Sequence, residues 1–443
     1  MKKWAIIFCF VLSLTTISAQ DSNYVRQVLS ELTSDKMCGR GYAYKGDSIA
    51  AHYLREQFKQ MGVNPLVDNY YQNYTFSVHA IEGATLLKIN GVELKPFNDY
   101  RMYAYGDRNF FPNAMVNYTN LKPSLSLNVV DLLDSAKLNK IARQNRADLF
   151  HPKYECIYVD ATNYSTEDKE LDKKVKTLLR VLSSANLLHC RILLAKVPEL
   201  NTYSVLRAEQ ESPYFFVECS ASQMPKKVKK IDVQCSTRYY KDYPTQNVCA
   251  KIQGTTDTMI VFTAHYDHLG MMGDKVVFHG AHDNGSGTSA VMDLARYYKQ
   301  NPGKYTMVFM LFSGEEAGLK GSAYAVKHPM IDFNKVKLLV NIDMFCGGDE
   351  GFMVVNGESE QTKPYYDKLC RLNDKWHAVS AIQHRPNVAN SDHWFFSKHC
   401  PAIFIYTMGQ RYGGYHAPED DCQSCGLEHY NDLFRLITSM VED

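Results

Sequence analysis

The stretch Met259-Ile260-Val261-Phe262-Thr263-Ala264-His265-Tyr266-Asp267-His268 opens on an apolar run and ends in a cluster of ionisable side chains. An apolar run of this length without alternation suits a strand covered on both faces, as in a parallel sheet. Three more such runs follow, at Thr306 to Phe312, Val336 to Ile342 and Ala402 to Tyr406. Helix-like stretches lie among them near 286–300, 320–328, 362–374 and 427–441. Strands alternating with helices predict an α/β fold with a mixed, largely parallel central sheet flanked by helices. Ligands in such folds bind at the carboxyl ends of the strands. His265 sits just after the first run, Glu315-Glu316 just after the second and Asp343 just after the third.

Upstream of this regular half, residues 24–33 and 47–61 read as helices. In the second, Ala50, Tyr53, Leu54, Phe58 and Met61 share a face, and Gly62 is a suitable stop. From 69 to 119, Tyr and Asn become dense. Short alternating runs such as 84–89 predict strands, with Asn90-Gly91 as a hairpin turn. Leu178 to Leu188 reads as a helix and Phe215 to Val217 as a strand. The basic run Lys226-Lys227-Val228-Lys229-Lys230 reads as a solvated helix face or loop. Residues 70–242 are therefore expected to form a smaller α+β region between an N-terminal helical part, 20–69, and the regular half, 243–443.

The chain has 443 residues, of which 45% are hydrophobic, enough for a large core and more than one domain. A formal net charge of +1, with both signs evenly spread, argues against a nucleic-acid partner. Lys2 and Lys3 precede the apolar run Trp4 to Leu14, which is too short to span a bilayer, and Ala19 offers a small cleavage residue. Residues 1–19 are expected to be a signal peptide, making the protein exported, periplasmic or extracellular, with no membrane span once the leader is removed. Of the 12 cysteines, Cys9 falls in the leader and an odd number remains, so at least one thiol stays unpaired within the chain. Cys422-x-x-Cys425 has no second CxxC to complete a zinc site. It is expected to be a small local disulfide or two unrelated thiols.

The chemistry lies in five short stretches: His265 to His268, Gly280 to Asn284, Glu315-Glu316, Asn341 to Met344 and Tyr415-His416. A two-metal hydrolase needs a bridging carboxylate, terminal ligands on each ion, and one more carboxylate to take a proton from the attacking water. Adjacent acids on a turn, Glu315 and Glu316, can divide that work, one on metal and one on water. Asp343 emerges from an apolar strand, where an unpaired charge is costly, and no cation lies near it in sequence. Asp267, two residues past His265, is placed to accept the second imidazole N–H. His268 and His282 are further candidate ligands, ranked below His265.

In order and together these strings resemble the co-catalytic zinc aminopeptidase family, which includes secreted bacterial leucyl aminopeptidases and the glutamate carboxypeptidases. The resemblance rests on 263–270, 280–287, 313–322, 341–344, Ser391-Asp392-His393 and 415–420. Residues 29–62, with Met37-Cys38-Gly39-Arg40, also resemble that family's N-terminal helical segment. Some relatives carry an inserted protease-associated domain where 70–242 lies, so the resemblance implies an inserted domain there, an N-terminal part of the peptidase domain at 20–69 and a catalytic core at 243–443. The resemblance implies a zinc exopeptidase fold and two zinc ions. Asp283 would bridge them, His265 and Asp343 would complete one, and Glu316 and His416 the other. It implies Glu315 as general base and later general acid, and Asp267 and Asp420 as carboxylates supporting the ligands. Tyr415 would stabilise the tetrahedral oxyanion. Cys346, close after Asp343, would be a disulfide partner or a stray metal-binding thiol.

The function expected is an exported two-zinc aminopeptidase acting on the N-termini of peptides. A single-zinc glutaminyl cyclase and a carboxypeptidase remain as alternatives on the same fold, as does a binding module with a dead site. No G-x-S-x-G elbow and no H-E-x-x-H is present, which disfavours a serine hydrolase and excludes a zincin. Gly285-x-Gly287-x-x-Ala290 matches a dinucleotide fingerprint only weakly, because no strand-like run precedes it. Side-chain preference and oligomeric state are not encoded in any motif.

Overall fold

The computed structural model describes residues 22–106, 113–148, 151–207, 213–409 and 413–442. The leader expected at 1–19 lies outside the described residues. An 11-stranded sheet forms the spine of the molecule. Its centre is parallel: Met259–His265 pairs with Thr306–Phe312 on one side and Val336–Ile342 on the other, and Ala402–Thr407 joins beyond. Every residue of the first two strands is buried.

The reason lies in the layers. Ile260, Phe262 and Ala264 face a core built with the helices Ser22–Leu32, Gly46–Gln60, Gly287–Gln300 and Tyr430–Val441. Met259 and Val261 face the opposite core, with Ala325 of the helix Lys320–Lys327 and Phe396. Alternate residues thus enter opposite cores, so both parities must be apolar and the expected alternation disappears. Among the described residues no helix is long and apolar enough to cross a membrane.

The middle of the chain is less regular in sequence than in structure. In place of several short strands, Tyr71–Ile89 is one strand of 19 residues, paired antiparallel to the 22-residue strand Ile231–Ile252. Both run without a break from the main sheet into the inserted segment. Asn90 and Gly91 both hold positive φ, 53° and 90°, so the turn expected there closes onto Val92–Glu93. A second sheet of 5 strands carries Cys156–Asp160, Ile192–Val197 and Tyr214–Ser220 in parallel. The helix expected at 178–188 is Lys169–Ser184; it starts earlier, where Asp168 caps the backbone N–H of Leu171. The basic run 226–230 is irregular and mostly exposed.

Candidate metal centre

The parallel strands deliver their chemistry to one edge. His265 is the last residue of its strand and is 1% exposed. Its Nδ1 lies 3.1 Å from the backbone carbonyl of Asp267, so that nitrogen carries the hydrogen and Nε2 keeps its lone pair. The Asp267 carboxylate, expected to receive this N–H, stands further off at 3.7 Å. It instead accepts from Tyr42 Oη (2.6 Å) and from the backbone N–H groups of Glu315 (3.1 Å) and Glu316 (3.3 Å). Its work is to hold the turn that presents the two acids. Gly314, at φ +70°, lets that turn form; a Cβ there would meet Lys320 Cβ at 2.9 Å.

Asp283 occupies the centre. Its Oδ1 is 3.2 Å from His265 Nε2, and its Oδ2 is 3.2 Å from His416 Nε2. Asp343 Oδ1 also lies 3.2 Å from His265 Nε2, while its Oδ2 accepts from Ser391 Oγ at 2.7 Å. Glu316 Oε1 lies 3.4 Å from His416 Nε2 and 2.9 Å from His268 Nδ1. Among the described residues two ligand-rich groups result, His265–Asp283–Asp343 and His268–Asp283–Glu316, sharing Asp283. His268, ranked low from sequence, therefore stands beside Glu316 together with His416. His282 points elsewhere, and its Nδ1 accepts from the backbone N–H of Cys346 at 3.2 Å. The Tyr415 ring is half-exposed and stacks on His416 at 3.8 Å.

The donor set fits metal. His416 Nε2 and His268 Nε2 are buried without a hydrogen-bond partner, although carboxylates stand within 3.4 Å of the first. Tetrahedral ligands at about 2.0–2.1 Å from zinc lie roughly 3.3–3.4 Å from one another, which is the spacing found here. Charge points the same way. Burial pushes Glu315 well above the usual carboxylate range, opposed by His265 and reinforced by Glu316 and Asp343. Burial also raises Asp343, against the pull of His265. Burial would raise Asp283 too, but the neighbouring His265 and His416 imidazoles outweigh it and hold the carboxyl well below its usual range. So many buried acids need cations to compensate them.

Several supporting groups were visible in the sequence only as members of motif strings. Asp420 accepts from the backbone N–H groups of His282 (2.8 Å) and Asp283 (3.2 Å), fixing the loop that carries the central carboxylate. Burial raises the Asp420 carboxyl to about 7, against the pull of those bonds. Arg40 is fully buried and donates to four carbonyls, those of Tyr266 (2.7 Å), Leu32 (2.9 Å), His279 (2.6 Å) and Gly280 (2.7 Å). Ser391 came only as part of a motif string, and Tyr42 only through the resemblance of the segment 29–62 around it. His416 itself sits at φ +55°, a strained conformation for a residue with a side chain.

Cys425 pairs with Cys346, 79 residues away, and not with Cys422, which is free. The local CxxC disulfide is thereby corrected, and Cys346 is the disulfide partner rather than a metal-binding thiol. The bridge fastens the segment after Asp343 to the segment after Asp420. Closing a long loop constrains the unfolded chain, so Cys346→Ser/Cys425→Ser is expected to lower unfolding free energy by about 2–4 kcal/mol. Urea midpoints of the oxidised protein and the double variant measure this; equal midpoints would refute it.

Residues 247–441 match the model of peptidase family M28. Aminopeptidase YwaD of Bacillus subtilis is 36% identical over 194 residues, covering 41% of this chain and 40% of that protein. A "Probable leucine aminopeptidase" of Trichophyton verrucosum is 28% identical over 179 residues, covering 38% of this chain and 45% of that protein. The chain thus spans less than half the length of these curated relatives. The solved structure of BSAP, a zinc aminopeptidase from Bacillus subtilis, superposes with a TM-score of 0.61 at 15% identity, covering 95% of this chain and 94% of that one. At that identity the likeness shows a common fold. The match to the peptidase family M28 model spans all the candidate ligands from His265 to His416.

Proposed function

We propose that the protein is an exported aminopeptidase that works with two zinc ions. The observation that carries this is the division of Asp283, one oxygen facing His265 and the other facing His416. His265, Asp283 and Asp343 would hold one ion; Asp283, Glu316 and His416 the other. When bound, zinc would supply Lewis acidity to the scissile carbonyl and to the attacking water. Glu315, partly open to solvent beside the ligands, would take the proton of that water and pass it to the leaving amine. Tyr415, against His416 at the rim, is the candidate for holding the developing oxyanion. Asp267 and Asp420 would keep the acid turn and the Asp283 loop in place.

The choice of peptide terminus follows from charge. Asp267, Asp283, Glu315, Glu316, Asp343 and Asp420 crowd one site, and among the described residues Arg40 is a cation that acts on Asp283 and Asp420. Arg40 is committed to carbonyls. Two divalent ions and Arg40 together do not outnumber these acids. Such a cavity favours a substrate's α-ammonium and repels a terminal carboxylate, which supports an aminopeptidase over a carboxypeptidase. The duplicated ligand groups favour two ions over the single zinc of a cyclase. The Cys346–Cys425 bridge suits an oxidising, exported location. Residues 70–242 are proposed as an inserted domain that covers one side of this site.

Zinc per chain and hydrolysis of leucine-4-nitroanilide test the reading together. About two zincs are expected, with cleavage abolished by N-acetylation of the substrate. Asp283→Ala should retain less than one zinc, because the residue serves both groups. One zinc in the parent protein with no amide hydrolysis would instead indicate the cyclase. Cleavage that requires a free carboxyl terminus would indicate a carboxypeptidase.

A further inference from the structure

The Nδ1 atom of His416 finds its acceptor far away in sequence. It lies 2.7 Å from the backbone carbonyl of Tyr203, 213 residues earlier and inside the inserted segment. A metal-ligating imidazole needs its other ring nitrogen fixed, since that bond sets both the tautomer and the ring plane. At His265 the acceptor comes from the same loop, two residues on. At His416 it comes from a different sheet.

The carbonyl is held rigidly. The Tyr203 ring is 3% exposed and stacks on Phe278 with centroids 4.9 Å apart and planes 4° from parallel. Tyr103, on a strand of the second sheet, also packs against this ring, with centroids 5.2 Å apart. Two residues before Tyr203, Asn201 gives its backbone N–H to the buried Glu218 at 2.9 Å and its side-chain amide to the same carboxylate. Three residues after, the carbonyl of Leu206 accepts from the backbone N–H of His79 at 3.0 Å. Phe278, the stacking partner, lies two residues before Gly280, where the Asp283 loop begins. One aromatic contact therefore ties the inserted segment to both sides of the site.

We propose that Tyr203 is a positioning residue for His416, so that the ion held by Glu316 and His416 is retained only while the inserted segment is docked. This rests on His416 being a ligand, as proposed above. The inserted segment then completes the metal centre as well as covering it. Its displacement would release one ion selectively and leave the His265–Asp343 ion in place, because among the described residues neither of those two bonds to the segment.

The test is competitive chelator titration of the zinc-loaded full-length protein, which resolves the two ions, on Tyr203→Ala and Tyr203→Phe. His416→Ala identifies which step belongs to the His416 ion. Tyr203→Phe keeps the stacked ring and should match the parent protein. Tyr203→Ala should weaken the step assigned to His416 by about 10–100-fold, the usual effect of losing a partner that orients a ligand, and leave the other step unchanged. The His416 Nδ1–H proton, followed by NMR on selectively labelled histidine, should be protected from exchange in the parent and in Tyr203→Phe and unprotected in Tyr203→Ala. A purely structural loosening would weaken both steps alike, and that result overturns the proposal. So does a Tyr203→Ala protein with both steps and the protected proton intact. If His416→Ala itself leaves both steps unchanged, the assignment of His416 as a ligand fails, and the role of Tyr203 falls with it.

Discussion

Glu315→Gln is expected to keep its full zinc content and to lose about 10²–10⁴-fold in kcat, which corresponds to roughly 3–5 kcal/mol of transition-state stabilisation. Two features separate this residue from its neighbour. Glu316 belongs to a ligand group through Oε1, whereas Glu315 belongs to neither group. The backbone N–H of Glu315 donates to Asp267, a contact the glutamine retains, so the turn should keep its shape. Glutamine matches glutamate in size but cannot accept the proton of the attacking water. KM should therefore change little, since the loss falls on the transition state. The pH profile offers a second readout. A general base works ionised, so the rate falls as pH drops through its pKa. Burial, with Glu316 and Asp343, raises that pKa. The acid limb should accordingly disappear from what activity Glu315→Gln retains. Glu316→Gln should behave differently, losing zinc first. Equal zinc loss in the two variants would remove the division of labour between the paired acids.

What could be seen in advance follows from where side chains, rather than backbone, do the work. The four parallel strands were legible because burial on both faces demands an unbroken apolar run, and an acid placed at the end of such a run must be satisfied by something. His265, Glu316 and Asp343 stood out for that reason. Ser391 and Asp420 came only as parts of motif strings. Tyr203 could not be seen at all, because what it presents to His416 is a carbonyl, and every residue has one. The long strands Tyr71–Ile89 and Ile231–Ile252 were broken into short pieces for a different reason. Their pairing shifts register between Gln234 and Ser236 and again between Tyr240 and Tyr243. Each shift resets the alternation of inward and outward residues. The strands also leave one core and enter another, so the buried face carries no single pattern along their length. Asp267 shows a subtler limit. Its spacing from His265 suggested that its carboxylate meets the ring, but the atom that does so is its carbonyl, and its carboxylate serves the acid turn.

Arg40→Met is expected to lower unfolding free energy by about 3–5 kcal/mol, the range for stranding partners of a buried charge. The guanidinium reaches the carbonyls of Leu32, Tyr266, His279 and Gly280, so it joins the N-terminal helical segment to two loops of the catalytic core. Burial lowers its pKa to about 10, with Asp420 and Asp283 opposing the shift, so it stays charged at neutral pH. Replacing a buried charge with an apolar side chain can be neutral where the partners repack. These partners are carbonyls on irregular backbone, and methionine offers them no donor. Each carbonyl left without its bond costs about 1–3 kcal/mol, against a gain of about 1.5–3 kcal/mol for burying the methionine. The carbonyls outnumber the compensation, and destabilisation wins. Arg40→Lys should fall between, since an ammonium keeps the charge but cannot span the same fork of acceptors. Because Gly280 opens the Asp283 loop, the methionine variant should also hold zinc less tightly than the parent at temperatures where both are folded. Urea midpoints of the metal-free proteins separate the folding effect from the binding effect. A metal-free Arg40→Met protein within about 1 kcal/mol of the parent would show that water or rearranged backbone satisfies those carbonyls, and that the clasp is not needed to build the site.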